Sequence, residues 1–489
     1  MTMFEPRATI VSDPTFSVPS GRSGFRRALL LNPPVYDAQY WARWSQPAGL
    51  LRIATYLKSQ GYHVDLIDAM ETDQKGLVKK TRRVIVGERQ FVVRDDITRT
   101  VWHFGSGWDE IERRMRALAT EDPPDEVWIG SVMTYWWEST RDAVILARQI
   151  FPKAQILVGG IYPTLAPDHA RTSLKDADLI FQGELSAASH CWTDLSLYKQ
   201  TPSYAILTTT RGCPWDCHYC AARSLNNGSN KMRPRDPEDV LAEIENKMAL
   251  GIRRFGFYED NALALRGHLQ RILELIIERG HRLNLYAPEG FETRMLTEDL
   301  LRTMRAAGFE KIHLPFEALK WDTNVGWNRR HASTASFEAA FDSAVRAGFK
   351  PRTQEINAFV LFGLPDDALE DLLDSIVYVH HTVGSIIPML FTPVPGTQIY
   401  REHADYMHNE MGWDLHDLNG KFLPFLEYNR RRYPQLRGSD YLQLEALMSV
   451  LNDGKFLSRA VDLCDETAVS KAFRALATEQ SPRAKRATA

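Results

Sequence analysis

Residues Thr208–Arg223 read TTTRGCPWDCHYCAAR. Cys213, Cys217 and Cys220 fall within eight residues, spaced C-x3-C-x2-C. The whole chain of 489 residues holds only two other cysteines, Cys191 and Cys464. Three thiolates at this spacing bind three irons of a cubane while the loop wraps around it. With no fourth cysteine nearby, one iron stays open to a small molecule. Zinc is the competing occupant. Structural zinc takes four ligands, and His218 would have to complete a strained tetrahedron within the same eight residues. Cys191, in an expected helix, and Cys464 read as small core residues.

Outward from this loop, strands and helices alternate. YAILTTT directly precedes it; RRFGFYE, LNLYAPE, KIHLPFE, EINAFVLF and IIPMLFTP follow. Asp236 is placed to cap a helix, with Pro237 in its first turn and Glu238 and Asp239 after it. Gly308 and Gly348 close later helices as left-handed caps. Six such units predict a partial (β/α)6 barrel over 199–402, with functional groups at the carboxyl ends of its strands.

Upstream, RALLLNPP, YHVDLIDA, EVWIGSV, AQILVGG and DLIFQGE are apolar runs separated by helical patterns. They predict an α/β fold whose first domain, 26–198, is a doubly wound parallel sheet. Residues 71–107 interrupt the rhythm and read as an inserted β-hairpin where a tight loop is usual. Residues 403–476 read as a small helical cap. The Pro- and Ser-rich stretch 1–25 and the stretch 477–489 read as mobile tails.

Composition is ordinary for a globular protein, with 44% hydrophobic and 25% charged residues and a net charge of −3. No basic excess suggests a nucleic-acid partner. No apolar run is long enough for a membrane span, and no secretory signal is visible. The expected setting is the reducing cytoplasm, where clustered cysteines point to metal.

The cysteine loop, in its place after the first barrel strand, resembles the signature of the radical S-adenosylmethionine (SAM) superfamily. The resemblance covers about 204–400. It implies a [4Fe–4S] cluster on Cys213, Cys217 and Cys220, with SAM on the open iron. It further implies that Tyr219 lies against the adenine, that Glu259 and Asp260 approach the SAM amino group, and that Glu317 lies near the ribose. Gly363, in VLFGLP, and Pro395, in FTPVPGT, would flank the adenine. No catalytic side chain is implied.

A doubly wound sheet before such a barrel resembles a cobalamin-binding domain. The matching residues are Asn32 and Pro33, Ser131 and Met133, Gly159 and Gly160, and Gly183 and Glu184. Glycine lets backbone approach a flat macrocycle. The D-x-H-x-x-G pattern of many such domains is broken here: Met70 stands for His and Asp73 for Gly. No imidazole ligand to cobalt is implied, and Met70 fits better as a packed thioether. Tyr135, Trp136 and Trp137 would either face the corrin or form interface core.

The implied activity is methyl transfer to an unactivated carbon of a small molecule, with an external electron donor such as flavodoxin or ferredoxin. Cyclisation or rearrangement with the same cofactors stays open. A methylthiotransferase would need three N-terminal cysteines, where this chain has only Cys191. A non-catalytic sensor would not need the intact triad with its matching barrel segments.

Overall fold

A computed structural model of the chain describes residues 8–12, 26–38, 46–71, 83–92, 98–329 and 332–453. The first series of elements is β1 (Thr9–Ser12), β2 (Arg27–Asn32), β3 (Val35–Asp37), α1 (Ala48–Ser59), β4 (His63–Asp68), β5 (Arg83–Val92), β6 (Thr98–Phe104), α2 (Trp108–Glu121), β7 (Glu126–Ser131), α3 (Trp137–Ile150), β8 (Gln155–Gly160) and β9 (Leu179–Gln182). Six of the strands form one sheet in the order β1-β9-β8-β7-β2-β4. All its pairings are parallel. Ala28 through Leu31 are fully buried, as a strand covered on both faces requires. The chain turns one way from β2 to β4 and the other way to β7, which opens a crevice at the carboxyl ends of β2 and β7.

Five of these strands match the expected ones; β1 is a correction. Thr9–Ser12 lie in the stretch read as a mobile tail, yet pair along the whole of β9. The run TIVS has three β-branched residues, which suit a half-buried edge. Four residues amid a Pro- and Ser-rich context show no period from which to read them.

The inserted segment is an antiparallel pair, β5 with β6, and β6 pairs in turn with β3. The insertion is thereby tied to the residues that follow β2. Val35, Phe104 and Trp136 form a small core beneath it, with Met70 and Tyr135 packed against them.

The second series holds β10 (Ala205–Leu207), β11 (Thr210–Arg211), β12 (Arg233–Pro234), β13 (Arg254–Phe257), β14 (Asn284–Tyr286), β15 (Ile312–Glu317), β16 (Ile356–Phe362) and β17 (Ile386–Leu390). Two three-stranded parallel sheets result, β10-β13-β14 and β15-β16-β17. A single parallel bridge, Leu285 to Phe309, joins them into one arc of six strands. β11 and β12 form a short antiparallel pair that brackets the cysteine loop. The helix Pro237–Ala249 starts where expected, with the Asp236 carboxylate accepting from the Glu238 N–H at 2.8 Å. Gly308 has φ +115°, and a Cβ there would lie 2.0 Å from the Leu283 carbonyl oxygen. Glycine is the residue that can make that turn.

Residues after 403 do not stand apart as a cap. Tyr441, Leu444 and Leu447 join the core of the second series, while Tyr406 and Phe425 join a core shared with the first sheet. Among the described residues, no helix is long and apolar enough to cross a membrane.

Candidate cluster and cofactor site

The cysteine loop is clamped at its entrance. Gly212, with φ +91°, passes so close to the Lys231 carbonyl that a Cβ would sit 2.6 Å from it. The Glu259 carboxylate accepts from the Thr209 N–H at 2.7 Å, the Thr209 hydroxyl at 2.6 Å and the Thr210 hydroxyl. Burial raises its pKa, against the pull of those donors. Asp260 accepts from the Gly212 N–H at 2.8 Å. The two carboxylates that follow β13 therefore hold the backbone leading into Cys213. Both oxygens of Glu259 are engaged in this work, whereas Asp260 also lines a cavity.

Cys213 is buried, Cys217 partly buried and Cys220 exposed. The weakly solvating surroundings of the loop raise all three thiol pKa values, Cys217 to about 12 and Cys220 to about 11, even though Cys220 reaches the surface. For Cys217 and Cys220 the charge of neighbouring thiols adds to the rise, and only Arg329 opposes it for Cys217. Three thiolates so placed call for a positive centre among them. Donors already face the sulfurs: the Trp215 N–H on Cys213, the Ala222 N–H on Cys220, and the Asn261 amide 3.8 Å from Cys213 Sγ. Among the described residues, no three His, Cys, Asp or Glu side chains make a group for one metal ion. A cubane asks for less convergence, because each thiolate binds a different iron. The donor set thus fits a cluster better than zinc.

Tyr219 and Glu317 are brought together by Arg329, which sequence reasoning missed. Its Nη1 donates to Tyr219 Oη at 2.5 Å and its Nη2 lies 3.1 Å from Glu317 Oε1. Tyr219 also meets Trp327 edge to face, with ring centroids 6.1 Å apart. Glu317 has φ +69° at a register shift ending β15. A left-handed glutamate at a strand end is the kind of strain that gathers at functional sites.

Gly363, φ +88°, donates its N–H to Asp367 at 2.6 Å, and the Leu364 N–H donates to the same oxygen at 2.9 Å. Asp367 is fully enclosed, and burial pushes its pKa up to about 7. Pro395 precedes Gly396, whose carbonyl accepts from the Ser224 hydroxyl at 2.7 Å. That bond ties the FTPVPGT segment to the helical turn after the cysteine loop.

Between the sheet edge and the second series lies a cavity of about 550 Å³. Asn32, Ser131, Met133, Gly159, Gly160, Gly183 and Glu184 all line it; Pro33 is buried but off the lining. Tyr258, Asp260, Pro288 and Glu289 face it from the other side. Of the six residues expected at SAM, only Asp260 reaches this cavity. Gly160, at φ +116°, is fixed by the fold, since a Cβ would fall 2.1 Å from the Ser131 carbonyl oxygen. Gly159 is not: a Cβ there would meet only Phe181 Cβ, at an ordinary 3.7 Å. Packing does not demand a glycine at 159, so its bare surface serves the cavity.

Met70 lines the cavity too, and its sulfur packs where a Gly105 Cβ would come within 2.8 Å. Trp136 also lines it, its Nε1 donating to Asp37 at 2.9 Å, while Tyr135 and Trp137 pack into core. Cys191 departs from expectation. It lies in an irregular turn, half-buried, with its sulfur 3.7 Å from the Ala187 carbonyl oxygen. Cys464 and Asp73 lie outside the described residues.

Residues 207–376 match the Radical SAM superfamily. This stretch of the chain carries a radical SAM domain. Among its relatives is the bacteriochlorophyllide d C-12(1)-methyltransferase of Chlorobaculum tepidum, 24% identical over 301 residues, which are 54% of this chain and 62% of that protein. The bacteriochlorophyllide d C-8(2)-methyltransferase of the same organism is 23% identical over 218 residues, 42% of this chain and 45% of that one. The chain therefore spans less than two thirds of the length of these relatives. The structure of TsrM, a radical S-adenosylmethionine methyltransferase from Kitasatospora setae with cobalamin and a [4Fe-4S] cluster bound, matches with a TM-score of 0.56. That match covers 79% of this chain and 76% of the other at 14% identity. It is a likeness of fold.

Proposed function

We propose that this chain is a cobalamin-dependent radical SAM methyltransferase acting on an unactivated carbon of a small molecule. The observation that carries the reading is the 550 Å³ cavity itself. One wall is the glycine-lined edge of the doubly wound sheet. The other is the mouth of the strand arc, where Asp260 both lines the cavity and holds the loop of Cys213. A flat macrocycle on the first wall would stand beside the chemistry begun at the second.

When bound, the cluster, SAM and cobalamin would supply the electron, the radical and the methyl group. The chain's own work is placement. Cys213, Cys217 and Cys220 would hold the cluster. Tyr219, Glu317 and Gly363 would border SAM, kept in place by Arg329 and Asp367. Asn32, Ser131, Met133, Gly159, Gly160, Gly183 and Glu184 would border the macrocycle. The cavity walls would shield the bound groups from bulk solvent. An external donor such as flavodoxin or ferredoxin would deliver the electron. The methyltransferase names of two relatives and the TsrM likeness support methyl transfer over cyclisation with the same cofactors.

The test is anaerobic reconstitution of the full chain with iron, sulfide and cobalamin, followed by SAM and a strong reductant. Retained corrin absorbance, with both 5′-deoxyadenosine and S-adenosylhomocysteine formed, is the expected result. Corrin retained without S-adenosylhomocysteine would favour cyclisation or rearrangement. A chain that keeps no corrin would overturn the cobalamin reading, and one that releases no 5′-deoxyadenosine would favour the sensor.

A further inference from the structure

One side of the cavity carries positive charge that nothing above uses. Arg52, the fifth residue of α1, lines the cavity and is only 6% exposed. Among the described residues its side chain has no hydrogen-bond or ion-pair partner, and its Nε is buried without an acceptor. Burial and the nearby Arg211 lower its pKa to about 10, so it remains a cation at neutral pH. Arg211 and Arg233 stand on the same wall, facing the single carboxylate Glu184 at 3.5 and 2.7 Å. The neighbouring Glu243 is taken by Arg235 at 2.7 Å and by Thr193. Arg211 and Arg233 thus share Glu184, Arg52 is left without a carboxylate of its own, and the other two lining carboxylates, Asp260 and Glu289, stand on the opposite side.

The start of α1 adds donors at the same place. This 12-residue helix follows Pro47, and no side chain caps its start. Among the described residues, the N–H groups of Gly49 and Leu50 have no acceptor, and both residues line the cavity. Open amides at a helix start attract anions. Helical side chains lean back toward that end, which directs Arg52 the same way. A buried guanidinium without a partner is costly to the fold, unless a ligand brings the opposite charge.

We propose that Arg52 and the open amides of α1 bind an oxyanion, and that this oxyanion is the phosphodiester of the cobalamin nucleotide tail. The inference rests on the cobalamin reading and adds to it. The corrin side chains of cobalamin are neutral amides, so the phosphodiester is its anionic group. Leu50, Trp128, Leu157, Phe181 and Leu185 give the cavity an apolar floor suited to the tail's aromatic base. An anionic group on the substrate is the other possible source of the same charge.

The experiment is a spectroscopic titration of the full chain, cluster reconstituted, with cobalamin, cobinamide phosphate and cobinamide, which lacks the phosphate. The wild-type chain should bind cobinamide phosphate about tenfold or more tightly than cobinamide. R52Q should lose most of that preference while its affinity for cobinamide stays the same, and R52K should keep part of it. Absence of the preference in the wild-type chain overturns the proposal even if R52Q fails to fold. So does an R52Q variant that keeps the preference; if that variant also loses turnover, the charge belongs to the substrate. A wild-type chain that binds none of the three corrins overturns the proposed function itself, a distinct result.

Discussion

Arg329 Nη2 lies 3.1 Å from Glu317 Oε1, with the two side chains 13% and 11% exposed. Burial alone would lower the pKa of Arg329, but Glu317, Tyr219 and Cys217 outweigh it, and the guanidinium is held charged. Removing one partner leaves the other charge buried and alone, which costs about 3–5 kcal/mol. R329M should lower the melting temperature by about 10 °C. The double variant R329M/E317Q should recover more than half of that loss. Calorimetry of the three chains decides it; a double variant no more stable than R329M would show that the pairing is not what matters.

The Asn261 amide is the side-chain donor facing Cys213, and it also donates to Glu292 at 3.2 Å. Outer donors of this kind orient ligands and tune a metal centre. N261A should retain iron while cutting 5′-deoxyadenosine formation by about 10- to 100-fold. Its cluster potential should fall, because a donor to sulfur favours the reduced state. An unchanged potential would remove Asn261 from the list of tuning groups.

The two cavity glycines should part ways. G160A forces a Cβ to 2.1 Å from the Ser131 carbonyl oxygen and should destabilise the fold severely. G159V places its Cβ at an ordinary 3.7 Å from Phe181 Cβ, and the variant should unfold within about 1 kcal/mol of wild type. Corrin retention should nonetheless be lost in G159V. A G159V chain that holds corrin as well as wild type would move the macrocycle elsewhere.

Asp367 gives the chain a definite pH response. Its folded pKa is raised to about 7 by burial, against about 3.9 for the unfolded chain. The folded state keeps a proton that the unfolded state releases, so this stabilisation is complete below about pH 4. It is lost as pH rises through about 7, by up to about 4 kcal/mol. Urea unfolding of wild type and D367N at pH 5 and pH 8 measures the difference. D367N should lose less stability across that interval; equal losses in both chains would mean that Asp367 is ionised throughout.

The parallel strands are legible in the sequence because burial on both faces turns them into apolar runs such as RALLLN and QILVGG. The cysteine spacing was legible for a similar reason, since the ligands lie on one short loop. Pairings across distance left no such trace. Arg52 reads as one polar residue of an amphipathic helix, and its isolation shows only when Arg211, Glu184 and Glu243 are set around it. Arg329 gave no local sign of its tie to Glu317. Asp367 could have been found, since an Asp four residues after Gly363 can turn back onto its amide. Glu259 shows the opposite lesson: a strand-end carboxylate beside a presumed ligand had a nearer duty, to Thr209 and Thr210.

The cavity has one wall from each series of strands, and this bears on how the protein can be made. During synthesis, Trp128, Leu157 and Phe181 emerge long before Pro288 and Glu289 arrive to close over them. Until then the finished sheet presents an open, oily cup to the cell. A chain cut after residue 200 would keep that cup for good and tend to stick to its own copies. Splitting the gene between the two series, or swapping one for a foreign counterpart, would trade a shared room for two exposed half-shells.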